Sequence, residues 1–245
     1  MKTLQKMNLE NSKEILRTTY NCESCKDKGY LFNQYDEVYF CKCYESKREK
    51  ERIEKSGIKD RLDNNRFDNY KADNEQRKIA KSICIKYIKE FEQNKGSKVL
   101  LLQGQVGSGK THLAISTINY LLKKYGVRYM SYTKDISELK FNMTDQELYQ
   151  KKISEYRNVS ILYIDDLFKG FEKIQDYNKA RAELRIMYDI INYRYDNKKA
   201  MIITSELNIN QLLELDEALA SRILEMAKGY RYEFKGRELN YRVFG

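Results

Sequence analysis

Two apolar rhythms alternate along most of this chain. Ala80, Ile83, Cys84, Tyr87, Ile88 and Phe91 recur at the spacing of one helical face. The pattern predicts a helix that stops near 94–96, with Cys84 as a core residue. Short apolar runs follow at 99–102, 127–132, 159–164 and 200–204. Each has the length of a buried strand. Amphipathic helices are expected between them. One carries Ala114, Ile118, Leu121, Leu122 and Tyr125 and stops at Gly126; another carries Leu184, Met187, Tyr188, Ile191 and Tyr195. A polar, mostly helical stretch is expected over 134–158, a further helix over about 210–228, and a last strand over 230–234. Strands alternating with helices imply a parallel sheet covered on both faces, an α/β fold. Before residue 63 the rhythm is different. Residues 46–62, SKREKERIEKSGIKDRL, form a charged connector with both signs at helical spacing. The expected organisation is therefore 1–62, a small module with its linker, and 63–245, the α/β domain.

Composition narrows the class. Hydrophobic residues make up 41% and charged residues 33% of 245, as in globular proteins. No apolar run approaches the roughly 20 residues that cross a bilayer, and the first residues lack the apolar core of a secretory leader. A cytoplasmic protein with no membrane partner is expected. Lys plus Arg number 46 against 36 Asp plus Glu, a net charge of +10. That surplus favours polyanions, nucleic acid first; it also fits a Lys-rich composition in general.

One segment carries specific chemistry. Gly104-Gln105-Val106-Gly107-Ser108-Gly109-Lys110-Thr111 matches G-x-x-x-x-G-K-[ST] at every fixed position, between an apolar strand and an amphipathic helix. Glycines let successive N–H groups face a phosphate, and the helix that starts there adds its positive end. Lys110 is expected to reach the β- and γ-phosphates of ATP, and the Thr111 hydroxyl to ligate Mg²⁺. His112, the single histidine, is expected to pack near the nucleotide as a helix residue. Ile161-Leu162-Tyr163-Ile164-Asp165-Asp166 reads as a buried strand ending in acid. Asp165 would hold Mg²⁺, directly or through water, and Asp166 would orient the attacking water. Asp166 is one methylene shorter than a glutamate, so hydrolysis is expected to be slow without a partner, roughly a few turnovers per minute or less. After 200–204, Thr204 and Ser205 are candidates to sense the γ-phosphate. Arg222 is either a surface helix arginine or a finger reaching a neighbouring subunit's nucleotide.

Four of the five cysteines lie between 22 and 43, as Cys22-x2-Cys25 and Cys41-x-Cys43. Two short-spaced pairs can each form one side of a tetrahedral Zn²⁺ site. Gly29 suits the turn of a knuckle, and 30–32 and 38–40 suit a small hairpin. Free thiols or a redox pair are the alternatives.

The cysteine module C-x2-C-x-D-x-G-Y…C-x-C, the charged linker, Arg66-Phe67-Asp68-Asn69-Tyr70, GQVGSGKTHLA and LYIDDL together resemble the bacterial replicative-helicase loaders of the DnaC/DnaI type. The resemblance implies an AAA+ ATPase domain preceded by a zinc-binding module that engages the hexameric replicative helicase. It also implies self-association through the ATPase domain, gated by ATP through Arg222, and contact with single-stranded DNA. By the same resemblance Phe67 and Tyr70 would flank the nucleotide base, and the run from Phe234 to Arg242 would leave little room for a helical lid. Glu206 departs from the asparagine frequent in that family. A carboxylate cannot donate to a phosphate, so the sensing role would pass to Thr204 or Ser205, or be weak. The alternatives are an IstB-like transposition helper ATPase, which the cysteine module disfavours, and a zinc-dependent adaptor that switches on nucleotide without turnover.

Overall fold

The computed structural model describes residues 20–93, 99–171 and 177–244. The expected helix stop at 94–96 lies outside the described residues. The chain forms two compact units, Met1–Arg48 and Glu49–Gly245. The sequence reading places a boundary at 62/63, whereas this division falls between Arg48 and Glu49. Residues 49–62 belong with the second unit for an apolar reason. Ile58 and Leu62 are buried in one of its cores, and Gly57 stands against the Tyr129 side chain.

In the first unit, β1 (Tyr30–Phe32) and β2 (Val38–Phe40) form the expected antiparallel hairpin, with Leu31 opposite Tyr39. Asn33 builds its turn: Oδ1 accepts the N–H groups of Tyr35 and Glu37. Helix α1 (Lys42–Ser56) follows, and the division between the units falls within it.

The second unit holds a five-stranded parallel sheet: β3 (Val99–Gly104), β4 (Val127–Ser131), β5 (Ile161–Asp165), β6 (Ala200–Ser205) and β7 (Arg231–Phe234), in the order β4-β5-β6-β3-β7. The three inner strands β3, β5 and β6 are buried throughout. Their side chains alternate between two cores, as strand geometry requires. Leu100, Leu102, Tyr163 and Ile202 pack with residues of α2 (Lys59–Leu62), α3 (Glu75–Glu92) and α4 (Lys110–Leu121). Leu101, Leu162, Ile164 and Ile203 pack with residues of α5 (Tyr132–Phe141), α6 (Gln146–Asn158), α7 (Tyr177–Asp196), α8 (Ile209–Leu215) and α9 (Glu217–Met226). A short helix, α10 (Tyr241–Phe244), ends the described chain. Among the described residues no helix is long and apolar enough to cross a membrane.

The elements differ from the apolar pattern where a polar group intervenes. Tyr132 opens α5 rather than closing β4, because Asp135 turns back to accept the Ser131 N–H at 2.9 Å. The stretch 134–158 is two helices, with Asp145 capping α6 at the Leu148 N–H. Asp216 ends α8 and caps α9 by accepting the Leu219 N–H at 2.8 Å, so the helix expected over 210–228 is split. Strand β5 starts at Ile161, not Val159, because Arg194 takes the carbonyls before it. Arg194 is fully buried and donates to the carbonyls of Tyr156, Arg157, Val159, Ser160 and Ala200 at 2.5–3.2 Å. Its charge sits at the negative end of α6, where the last carbonyls lack helical partners.

Candidate functional site

The G-x-x-x-x-G-K-[ST] segment from Gly104 to Thr111, a P-loop, joins β3 to α4, and its backbone conformations explain its glycines. Gly104 has φ +120°, and a Cβ there would collide with the Phe234 carbonyl on the neighbouring strand. Gly107 has φ +75°, and a Cβ there would collide with the Asn240 side chain. The Tyr241 N–H donates to the Gly107 carbonyl at 3.0 Å, so the segment after β7 braces the loop. Ser108 Oγ donates to the Gln105 carbonyl at 2.9 Å, and the Gln105 amide reaches the Gly236 carbonyl. Lys110 Nζ is folded onto the loop, donating to the carbonyls of Gly104 and Gln105 at 2.7 and 2.8 Å. Burial lowers its pKa, with Asp166, Glu206 and Asp165 acting in the opposite sense.

Asp165 closes β5 and is held from every side. Oδ1 accepts the hydroxyls of Tyr163 (2.7 Å), Thr204 (2.8 Å) and Thr111 (3.1 Å). Oδ2 lies 3.3 Å from both the Tyr129 hydroxyl and the Arg61 guanidinium. Arg61 also donates to Tyr129 at 3.0 Å. Asp165 and Thr111 thus offer adjacent oxygen donors, the ligand type that Mg²⁺ prefers. Asp166 follows with φ +58°. Its carboxylate is 2.7 Å from Lys169 Nζ, which is also 3.6 Å from Glu206.

A cavity of about 430 Å³ opens on the P-loop. Val106 through His112 line it, together with Tyr70, Asp166, Lys169, Glu206 and Arg242. Of the residues the sequence singled out, Val106 through Thr111, His112, Asp166, Tyr70 and Glu206 meet on this cavity. Gly104, Gln105 and Asp165 do not line it; Asp165 is bonded to the lining residue Thr111. Thr204 is fully buried and committed to Asp165 and to the Asp166 N–H. Ser205 Oγ is likewise fully buried and bonded to the Leu167 carbonyl. Neither lines the cavity. Arg222 lies on α9 away from the cavity; it donates to the Ala218 carbonyl at 2.6 Å and sits over the rings of Tyr188 and Tyr195. His112 Nε2 is 2.9 Å from the Arg66 carbonyl and 3.0 Å from Asn69 Oδ1, so it ties the segment 66–70 to α4. Tyr70 then reaches the cavity, whereas Phe67 does not line it. Lys169 and Arg61 carried no sequence signal. Each acts across a fold contact, and neither belongs to a spaced motif.

In the first unit the sulfurs of Cys22, Cys25, Cys41 and Cys43 all lie within 4.8 Å of one another. Cys22 and Cys41 are 3.7 Å apart, and Cys25 and Cys43 are 3.2 Å apart. Tetrahedral Zn–S bonds of about 2.3 Å place sulfurs about 3.8 Å apart, so the donor set fits zinc. Lys26 and Asp27, with φ 49° and 62°, wind the knuckle, and Gly29 N–H donates to Cys25 Sγ at 3.3 Å. A hydrogen bond from the Cys25 backbone lowers the Cys22 thiol to about 7, while hydrogen bonding to Cys25 raises Cys43. Cys84 is separate: it is fully buried in the α3 core, and burial raises its thiol to about 12.

Residues 42–228 match the family described as IstB-like ATP binding protein. The chain is 34% identical over 240 residues to the phage-like element PBSX protein XkdC of Bacillus subtilis (strain 168), spanning 92% of this chain and 87% of that protein. The crystal structure of the DnaC helicase loader superposes with a TM-score of 0.60 at 27% identity, over 71% of this chain and 99% of that one. The crystal structure of DnaI shares the fold, with a TM-score of 0.54 at 21% identity over 76% of this chain and 91% of that one. The fold is that of an AAA+ domain of the DnaC/DnaI type.

Proposed function

This chain belongs to the family of IstB-like ATP binding proteins, and we propose that it is an ATP-hydrolysing loader of a replicative DNA helicase. The observation that carries the proposal is the likeness to the DnaC helicase loader, which extends over nearly all of that structure at 27% identity. The four-cysteine cluster ahead of the ATPase unit supports the same reading, since it supplies a separate compact unit for contact with the helicase. The phage-like element relative favours service to a mobile element.

On this reading the cavity receives ATP. The P-loop N–H groups and the positive end of α4 bind the phosphates. Lys110 leaves the carbonyls of Gly104 and Gln105 to meet the β- and γ-phosphates. Thr111 and Asp165 would hold Mg²⁺, which would supply positive charge against the negative charge that develops on the phosphate oxygens. Asp166 accepts from the attacking water and aligns it with the γ-phosphate. Arg222 serves a neighbouring copy rather than its own cavity, and the basic surface meets single-stranded DNA by charge and stacking.

The second reading, a transposition helper, is favoured by the family match itself, which begins at residue 42 and leaves out Cys22, Cys25 and Cys41. Co-purification with a hexameric replicative helicase in Mg·ATP separates the two. Retention of the helicase by the full chain, and its loss on Cys22→Ser, is the expected result. A Cys22→Ser chain that still retains the helicase removes the role given to the cysteine unit, and failure of the intact chain to bind helicase overturns the loader.

A further inference from the structure

Glu206 sits on the wall of the nucleotide cavity at the end of β6, where a hydrogen-bond donor to phosphate would be useful. As a carboxylate it accepts only. With Asp166 it brings two negative charges to a space that must receive a polyanion. Lys169 resolves that conflict. Its ammonium is 2.7 Å from Asp166 and 3.6 Å from Glu206, and its side chain also lines the cavity. An ammonium has three N–H donors; Asp166 takes one at hydrogen-bond distance and Glu206 stands at ion-pair distance, so a donor is left for a ligand in the cavity.

The backbone fixes this lysine relative to Glu206. The turn 166–169 is built on two left-handed residues, Asp166 and Phe168, each with φ 58°. It is fastened to β6 at three points. The Asp166 N–H donates to Thr204 Oγ1 at 2.9 Å, the Leu167 N–H to the Thr204 carbonyl at 2.8 Å, and Ser205 Oγ to the Leu167 carbonyl at 2.8 Å. The Phe168 ring is buried against Tyr132, and Lys169 N–H closes the turn on the Asp166 carbonyl at 3.0 Å. Turn and strand therefore present Lys169 and Glu206 as one unit. The charges of Asp166, Glu206 and Lys169 all act on Lys110, so the four groups share one end of the site.

We propose that Lys169, held by Glu206, is the γ-phosphate sensor of this protein. Its free N–H donates to a γ-phosphate oxygen, which ADP lacks. Glu206 keeps the ammonium in the cavity. When the phosphate takes part of the lysine's charge, the Asp166 carboxylate gains acceptor capacity for water. The inference rests on the ATP reading of the same cavity.

Binding of fluorescent ADP and of an ATP analogue with a β,γ-methylene bridge, both with Mg²⁺, tests it without turnover. The wild-type chain prefers the triphosphate. Lys169→Met lowers that preference at least tenfold while ADP affinity stays within about twofold. Lys169→Arg keeps the preference, and Glu206→Met, which removes the tether without adding a donor, lowers it to an intermediate value. A triphosphate-to-diphosphate ratio in Lys169→Met equal to wild type, or an equal loss for both ligands, overturns the sensor. Should Lys169→Met not fold, an unchanged ratio in Glu206→Met overturns it. A wild-type chain that binds neither nucleotide, with Lys110→Ala no different, overturns the ATP reading itself.

Discussion

The Thr204 hydroxyl donates to Asp165 Oδ1 at 2.8 Å and accepts the Asp166 N–H at 2.9 Å. One buried oxygen thereby sets the end of β5 against β6 and aims two successive carboxylates in different directions.

Thr204→Val keeps the shape and removes both bonds. An orphaned buried N–H costs about 1–3 kcal/mol. In a protein of this size that corresponds to a fall in Tm of roughly 2–4 °C for each kcal/mol. Calorimetry should record it. Affinities for ATP and ADP should fall together, because the hydroxyl does not line the cavity. A selective loss of ATP affinity would show that Thr204 meets the γ-phosphate after all.

Arg61 occupies the other oxygen of Asp165, at 3.3 Å. In the proposed Mg·ATP state this guanidinium competes for the carboxylate that serves the metal. The pair is half exposed on the arginine side, so solvent leaves it worth at most about 1 kcal/mol. Arg61→Ala should lower the Mg²⁺ concentration that half-saturates nucleotide binding by roughly threefold. A magnesium titration followed by nucleotide fluorescence reads this directly. A higher magnesium requirement would mean that Arg61 orients Asp165 rather than competing for it.

The cysteine cluster should hold one zinc per chain, measurable by elemental analysis of purified protein. Structural sites of this type bind with apparent free energies of about 10–16 kcal/mol near neutral pH. Strong chelation or Cys25→Ser should therefore unfold the unit before residue 49. ATP binding by residues 49–245 should persist, since every cavity-lining residue lies in that unit. Loss of ATP binding on zinc removal would contradict this.

The local parts of the molecule were readable from the chain. Four apolar runs and the expected last strand over 230–234 located the five strands of the sheet, and the P-loop spacing located Gly107 through Thr111 because its chemistry is contiguous. Boundaries slipped where one side chain outweighed the pattern: Arg194 drawing off the carbonyls before Ile161, or Asp216 serving two helices. The roles of Lys169 and Arg61 were not readable. Lys169 reaches the cavity through left-handed backbone at Asp166 and Phe168, two residue types with no demand for that conformation. Arg61 stands in a charged run whose other members carry no such contact with Asp165, and the selection is made by Ile58 and Leu62 burying on either side of it. Thr204 and Ser205 were candidates to sense the γ-phosphate because a polar residue after this strand does so in ATPases of the additional-strand type. Tyr163, bonded like Thr204 to Asp165, shows that this strand end is instead spent on holding a carboxylate.

The brace on the P-loop has a consequence for the order of synthesis. Gln105 bonds to a carbonyl 131 positions later, at Gly236, and Gly107 rests against Asn240 and Tyr241. At typical elongation rates those partners leave the ribosome on the order of ten seconds after the loop does. Until then the loop has its glycines but not its backing. Nucleotide competence thus arrives late, when nearly all of the AAA+ unit has been made, and a nascent chain cannot be committed by ATP before its sheet is complete.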